Sequence, residues 1–178
     1  LAGDALLGYA FETILNNAPQ TESSWKALRV LAKGAGTEGM LGGQVVDMES
    51  EIIKIDYEKL VYLQQHKTGA LIKASCLMGA IVGGADEELQ NKLAAYAEKI
   101  GLAFQVQDDI LDVVGNSAIM GKKIHSDENN KKSTFVSICG MEKAKNIVEE
   151  LSQSAAGDMS GINEYGDFLS NLALYLGG

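Results

Sequence analysis

In Phe104-Gln-Val-Gln-Asp-Asp-Ile-Leu-Asp-Val-Val-Gly115, three aspartates interrupt an otherwise apolar helical pattern. At about 100° per residue, four polar residues of this stretch share one helix face, within roughly 100° of arc: Gln105, Asp108, Asp109 and Asp112. Carboxylates this close repel each other by roughly 1–4 kcal/mol per pair, and aspartate is a poor residue for a helix interior. A cation bound to this acidic face would offset both costs.

The residue types on the acidic face favour magnesium. Clustered carboxylate oxygens without nearby Cys or His suit a hard cation, and Mg²⁺ completes its shell with water and substrate phosphates. Small residues, Ala97 and Gly101, continue the same face and would leave room for a ligand. The alternative is a solvated helix face, which more usually carries Lys, Glu and Gln. We therefore predict that Asp108, Asp109 and Asp112 bind Mg²⁺.

The composition and the hydrophobic pattern predict a single all-α domain over residues 1–178. Hydrophobic residues make up 46% of the chain, enough for a core, and its one proline favours long helices over turn-rich β architecture. Helices are predicted at 2–16, 22–34, 38–51, 57–82, 87–114, 134–139, 141–155 and 162–176. Thr21, Asp56 and Asp86 are candidate N-caps. Gly115 is expected to end the long helix, ahead of a polar loop at 116–133.

Charge and cysteine content limit the partners and the compartment. The net charge of −9 disfavours nucleic acid and anionic membrane surfaces. Cys76 and Cys139 lie in apolar surroundings and predict reduced core thiols of a cytoplasmic protein. We expect no signal peptide, and no apolar run reaches the roughly 18–20 residues of a membrane span. The chain opens without Met and already in helical rhythm, so we expect it to be part of a longer polypeptide.

Two further motifs combine glycine with polar residues on predicted helices. Lys67 and Thr68 could present a cation and a hydroxyl to an anion, although a lysine that lies along the surface is the simpler interpretation of Lys67. Gln44 and Asp47 share a helix face just after Gly42-Gly43, whose lack of side chains permits a close approach. An exposed polar stripe would explain this second motif equally well.

The predicted loop contains a run of lysines directly after the acidic helix. Residues 121–134 include Lys122, Lys123, Lys131 and Lys132. Ammonium groups beside a carboxylate cluster would suit a diphosphate–Mg²⁺ complex, whereas a solvated loop is the alternative. His125 in this loop is expected to be solvated.

Taken together, the motifs resemble the trans-isoprenyl diphosphate synthases, and most closely the short-chain bacterial farnesyl diphosphate synthases. Four motifs in order carry the resemblance: Gly42-Gly43-Gln44-x-x-Asp47, His66-Lys67-Thr68, Phe104-Gln105-x-x-Asp108-Asp109-x-x-Asp112 and Gly121-Lys122…Asp127…Lys132-Ser-Thr. The resemblance covers essentially the whole chain. It implies an isoprenoid synthase-type helical bundle that here lacks its N-terminal helices.

The resemblance also implies a role for each matched residue. Asp108 would be the principal metal ligand, Asp112 would bind directly or through water, and Asp109 would support them. The other implied site residues would line the cavity or hold the allylic diphosphate: Gln44, Asp47, Lys67, Thr68, Gln105, Lys122 and Lys132, with Asp127 lying behind the residues that contact the ligands. Of these, Lys67, Thr68 and Gln105 are expected to act in catalysis with Asp108, and His66 to be structural.

The implied reaction is prenyl transfer by a Mg²⁺-dependent homodimer. An allylic diphosphate would ionise, isopentenyl diphosphate would attack, and a proton would be lost. Farnesyl diphosphate is the favoured product, with geranyl and geranylgeranyl diphosphate open. Only the second of the family's two aspartate-rich motifs is present, so we expect these 178 residues alone to lack turnover. The alternative is a non-catalytic subunit of this type or a helical binding module.

Overall fold

The computed structural model of the chain describes residues 1–120 and 133–177, which contain helices and no strand. The helices are α1 (Ala2–Asn17), α2 (Glu22–Ala35), α3 (Met40–Ser50), α4 (Tyr57–Gln64), a π-helical turn (Gln65–Gly69), α5 (Ala70–Val82), α6 (Glu87–Met120), α7 (Phe135–Cys139), α8 (Met141–Met159) and α9 (Glu164–Gly177). The all-α prediction is confirmed.

Three helices begin at the predicted caps. The Thr21 hydroxyl accepts from the Ser24 amide at 3.2 Å. Asp56 accepts from the backbone nitrogen of Lys59 at 2.8 Å, and Asp86 accepts from that of Leu89 at 2.8 Å. Each carboxylate or hydroxyl satisfies a first-turn N–H that has no partner within its own helix.

The core is formed around α6 and α8, which pack against each other through two apolar clusters. The first cluster joins these helices to α4 and α7 and includes Leu60, Leu63, Val106, Ile110, Phe135 and Val148. The second joins them to α9 and includes Tyr96, Ile100, Ala155, Met159 and Ala173. Because α6 contributes to both clusters, its opposite face is left to carry the polar residues of the acidic stretch.

The structure corrects the predictions for the two longest helices. Gly115 does not end the long helix, which continues to Met120. A glycine inside a helix costs only about 1 kcal/mol relative to alanine, so it does not end a helix unaided. The predicted helix 57–82 is interrupted by the π turn at Gln65–Gly69, and the periodicity of apolar residues gave no sign of it.

Helix α1 has no buried residue, and its large apolar side chains Leu6, Tyr9 and Leu15 are exposed. It contacts the rest of the chain mainly through α2. Across the described ranges, 1–120 and 133–177, no helix has both the length and the apolar character that crossing a membrane would require.

Candidate functional site

Two predicted site residues, Asp47 and Lys67, meet in an ion pair. Asp47 lies in α3 and is buried, and its Oδ2 accepts from the Nζ of Lys67. The Lys67 side chain is about one-third exposed, at 30%. An anion can therefore still reach the ammonium group from solvent, while the carboxylate beneath it restricts where that group can lie.

Lys67 and Thr68 both lie in the π turn between α4 and α5. In such a turn the hydrogen bonds join residues i and i+5. These turns are rare, and many of those known lie at functional sites. His66, the preceding residue of the motif, hydrogen-bonds through Nδ1 to the Tyr62 carbonyl oxygen at 2.7 Å and stacks on the Tyr62 ring. These contacts are consistent with a structural role for His66.

The acidic residues of α6 differ in their surroundings. Asp108 and Asp112 are exposed, and Gln105 and Asp109 are half-buried. Asp109 Oδ2 accepts a hydrogen bond of 2.8 Å from the backbone nitrogen of Phe135, the first residue of α7. This gives Asp109 a contact that the sequence did not predict, and its role in metal binding stays a prediction.

The small residues on this face serve helix packing, which corrects the expectation that they leave room for a ligand. Ala97 is fully buried. A Cβ on Gly101 would lie 3.2 Å from the Cα of Gly69 and 3.6 Å from Ile72 Cδ1. Close contact between α6 and the start of α5 therefore explains why Gly101 is small.

The same contacts place the π turn near the acidic end of α6. Gly69 lies against Gly101, and Lys73 pairs with Glu98 at 2.5 Å, so α5 and α6 run antiparallel. Residues that precede Gly69 must then lie towards Gln105 and Asp108. Asp108 is about two turns beyond Gly101, roughly 10 Å along the helix and on nearly the same face.

The exposed aspartates are suitable ligands for magnesium. Within residues 1–120 and 133–177, no group of three or more His, Cys, Asp or Glu side chains is arranged to hold a metal ion. Mg²⁺ is, however, commonly held by only one or two carboxylates together with substrate phosphates and water. Asp108 and Asp112, one turn apart and open to solvent, fit that smaller set of oxygen donors.

Several predicted residues cannot be placed. Lys122, Lys132, Asp127 and His125 lie outside the described residues. Gln44 is half-buried on α3, one turn before Asp47. The structure thus brings Asp47 together with Lys67. It places Asp108 and Asp112 on α6, which packs against the π turn that contains Lys67.

A cavity of about 420 Å³ lies elsewhere, between α2, the π turn and α5, and neither Lys67 nor Asp108 lines it. Two ion pairs flank it, Lys33–Glu38 at 3.3 Å and Lys73–Glu98 at 2.5 Å. Because none of the predicted site residues that the structure describes lines this cavity, we do not assign the site to it.

The contact of Gly43 with the π turn was not predicted. A Cβ on Gly43 would lie 2.1 Å from the backbone nitrogen of Lys67. The Gly42-Gly43 pair signalled a close approach in general terms, but the partner lies more than twenty residues away, in another helix. No local pattern identifies such a contact.

Comparison with known proteins shows which family the chain belongs to. Residues 1–165 match the polyprenyl synthetase family. The chain is 43% identical over 166 residues to the farnesyl diphosphate synthase of Haemophilus influenzae, which covers 91% of this chain and 56% of that protein. It is 45% identical over 159 residues to a chloroplastic geranylgeranyl pyrophosphate synthase of Catharanthus roseus, covering 87% and 44%. The chain thus spans about half the length of these relatives.

Solved structures share the fold. An FPP/GFPP synthase from Zymomonas mobilis superposes with a TM-score of 0.82 at 33% identity, over 99% of this chain and 59% of that one. A geranyltransferase from Helicobacter pylori, complexed with magnesium and isoprenyl diphosphate, has a TM-score of 0.79 at 34% identity, over 98% and 57%.

Proposed function

The chain belongs to the polyprenyl synthetase family, and on this premise we propose that it carries half of the active site of a prenyltransferase. The reaction would condense an allylic diphosphate with isopentenyl diphosphate. Since the chain spans about half the length of its relatives, the activity is proposed for a polypeptide of their length that contains these residues. These 178 residues alone are expected to lack turnover, and residues 1–178 are proposed to be part of one helical domain.

One observation carries the proposal: the π turn that contains Lys67 packs against α6, on the side of Gly101 that leads towards the exposed carboxylates. Lys67 is positioned by Asp47, and the antiparallel packing of α5 on α6 directs the π turn towards Asp108. A diphosphate bound between them would receive a hydrogen bond from the ammonium group and share a cation with the carboxylates.

Asp108 and Asp112 would hold Mg²⁺. When bound there, the metal would neutralise the negative charge that develops on the departing diphosphate. Lys67 would donate to a diphosphate oxygen and stabilise the leaving group. The hydroxyl of Thr68 would lie beside the allylic carbon from which the diphosphate departs. Gln105, one turn before Asp108, would line the same face, with Gln44 at the wall formed by α3.

The length of the prenyl product is less well supported than the type of reaction. Relatives named as farnesyl and as geranylgeranyl synthases match this chain at similar identity, 43% and 45%. Farnesyl diphosphate remains our proposed product, from the overall resemblance to short-chain bacterial farnesyl diphosphate synthases. A homodimer and the participation of Lys122 and Lys132 in diphosphate binding are proposed on the same family basis.

An assay with radiolabelled isopentenyl diphosphate tests the proposal. A polypeptide of the relatives' length that contains these residues is incubated with Mg²⁺ and either dimethylallyl or geranyl diphosphate, and the products are separated by chain length. Formation of a longer prenyl diphosphate is expected. Mg²⁺-dependent diphosphate binding without product would indicate the non-catalytic alternative, and absence of binding would indicate a helical interaction module.

A further inference from the structure

Gly43 brings α3 into direct backbone contact with the π turn. A Cβ at this position would lie 2.1 Å from the Lys67 nitrogen, 2.6 Å from its Cα and 2.8 Å from the carbonyl carbon of His66. Real Cβ atoms essentially never approach other atoms within 3.0 Å. Because all three neighbours are backbone atoms, no side-chain rotation could relieve the clash, and only a shift of α3 or of the turn could.

The turn is also restrained on its other side. A Cβ on Gly101 of α6 would lie 3.2 Å from the Cα of Gly69. The five-residue π turn is therefore packed between two glycines on two different helices. A displacement from α3 cannot be absorbed freely, since α6 already lies against the opposite end of the turn.

One turn after Gly43, α3 also contacts the Lys67 side chain. Asp47 lies four residues later and hence on the same helix face, and its carboxylate is paired with the ammonium group of Lys67. Helix α3 thus contacts Lys67 twice, at the backbone through Gly43 and at the charged end through Asp47. The ion pair is formed at the close α3-to-turn separation that Gly43 permits.

We propose that Gly43 is a positioning residue for the prenyl transfer, setting the location of the Lys67 ammonium group by allowing α3 to contact the π turn. This inference rests on the proposed function. An alanine at this position would separate α3 from the turn, break the Asp47–Lys67 ion pair and move the cation away from the diphosphate site.

The test is Gly43→Ala in the polypeptide of the relatives' length, with steady-state kinetics for both substrates. The value of kcat/KM for the allylic diphosphate should fall by roughly 100-fold, the scale of a displacement of about 1 Å in a positioned group. The KM for isopentenyl diphosphate should change by less than about 3-fold, because Lys67 is assigned to the allylic diphosphate alone.

Two glycines supply matched controls. In Gly34→Ala the new Cβ would meet Ala74 Cβ at 2.8 Å and the Ala70 carbonyl oxygen at 3.1 Å, so it crowds α5 without touching Lys67. In Gly79→Ala, a change within α5, the new Cβ would meet no other atom within 4 Å. Both controls should keep kcat/KM within about 3-fold of wild type. A 100-fold loss in Gly34→Ala would overturn the proposal, because general crowding would then explain the effect.

A double-mutant cycle with Lys67→Met separates positioning from loss of stability. If Gly43 acts through Lys67, then adding Gly43→Ala to Lys67→Met should lower kcat/KM by less than about 3-fold. Equal losses in both backgrounds would overturn the proposal.

Should Gly43→Ala fail to fold, Asp47→Asn becomes the second variant. It introduces no clash and should give the same selective loss for the allylic substrate. Unchanged kinetics in Asp47→Asn would refute the role of α3.

A crystal structure of the Gly43→Ala variant tests the role of Gly43 separately from the proposed function. A crystal structure of Gly43→Ala that retains both the π turn and the Asp47–Lys67 ion pair would overturn the inference whatever the activity. An inactive wild-type polypeptide would refute the proposed function instead. Active wild type combined with additive losses in the cycle would refute only the role of Gly43.

Discussion

Asp109 and Phe135 are joined by a hydrogen bond of 2.8 Å, from the Phe135 backbone nitrogen to Oδ2 of Asp109. Phe135 is fully buried, and its N–H belongs to the first turn of α7, where it has no partner within the helix. The middle aspartate of the acidic face therefore fixes the beginning of α7 to α6. Its neighbours Asp108 and Asp112 face solvent.

Removal of this contact should destabilise the fold. We expect Asp109→Ala to lower the free energy of unfolding by about 1–3 kcal/mol, because a buried N–H loses its acceptor. Asp109→Asn keeps an acceptor oxygen and should lose less. Asp112→Ala, an exposed change, should stay within about 0.5 kcal/mol of wild type. Urea unfolding measures all three, and equal stability of the two alanine variants would contradict the assignment.

Asp108→Ala should act on turnover and leave the fold intact. If Asp108 holds the metal in the transition state, kcat of the polypeptide of the relatives' length should fall by roughly two to four orders of magnitude. Glu150→Ala removes an exposed carboxylate on α8 and should leave kcat unchanged. Near-normal turnover in Asp108→Ala would remove this residue from the site.

Lys67→Met should weaken diphosphate binding. A charge-assisted hydrogen bond contributes about 1.5–3 kcal/mol, so the Kd for a bisphosphonate mimic with Mg²⁺ should rise by roughly 10- to 100-fold. Lys73→Met is the matched control, since Lys73 is also a partly exposed lysine paired with a carboxylate on a neighbouring helix. Calorimetry gives both constants, and similar losses in the two variants would count against a specific role for Lys67.

Alkaline pH should destabilise the second core cluster through Tyr96. Burial raises the pKa of the Tyr96 phenol to about 12, and its hydroxyl donates to the Leu169 carbonyl oxygen at 2.9 Å. A raised folded-state pKa means that the stabilisation is complete below the unfolded pKa of about 10 and is lost as pH rises towards about 12. Tyr96→Phe should be less stable at pH 8, by about 1 kcal/mol, and should lose less stability between pH 9 and 12. Parallel pH profiles for the two proteins would contradict this.

The caps show what local sequence can predict. Thr21, Asp56 and Asp86 each accept the first-turn hydrogen bond expected of them, because a cap and its donor lie only three residues apart. Helix boundaries followed the sequence wherever such a short-range interaction decides them. Gly115 was a wrong prediction because its cost in a helix is small and other contacts of α6 outweigh it.

The site depends on contacts that the sequence does not encode locally. Lys67 and Asp47 were both candidate residues, but their ion pair joins two helices and was not predicted. The small size of Gly101 was assigned to ligand access, whereas it reflects the contact with Gly69. Periodicity identifies which residues share a face of one helix, and only the packing of helices shows what that face meets.

The π turn constrains changes in chain length. Each of its hydrogen-bonded rings contains one residue more than an α-helical ring. Deleting one residue between Gln65 and Gly69 would convert the turn into regular α-helix, with α4 and α5 still in register, and would remove the wider ring in which Lys67 and Thr68 lie. The exposed link at 51–54 could accept a change in length without altering the turn. Loop grafting or codon deletion in this protein should therefore be directed to the link, and the five residues of the turn kept at their present number.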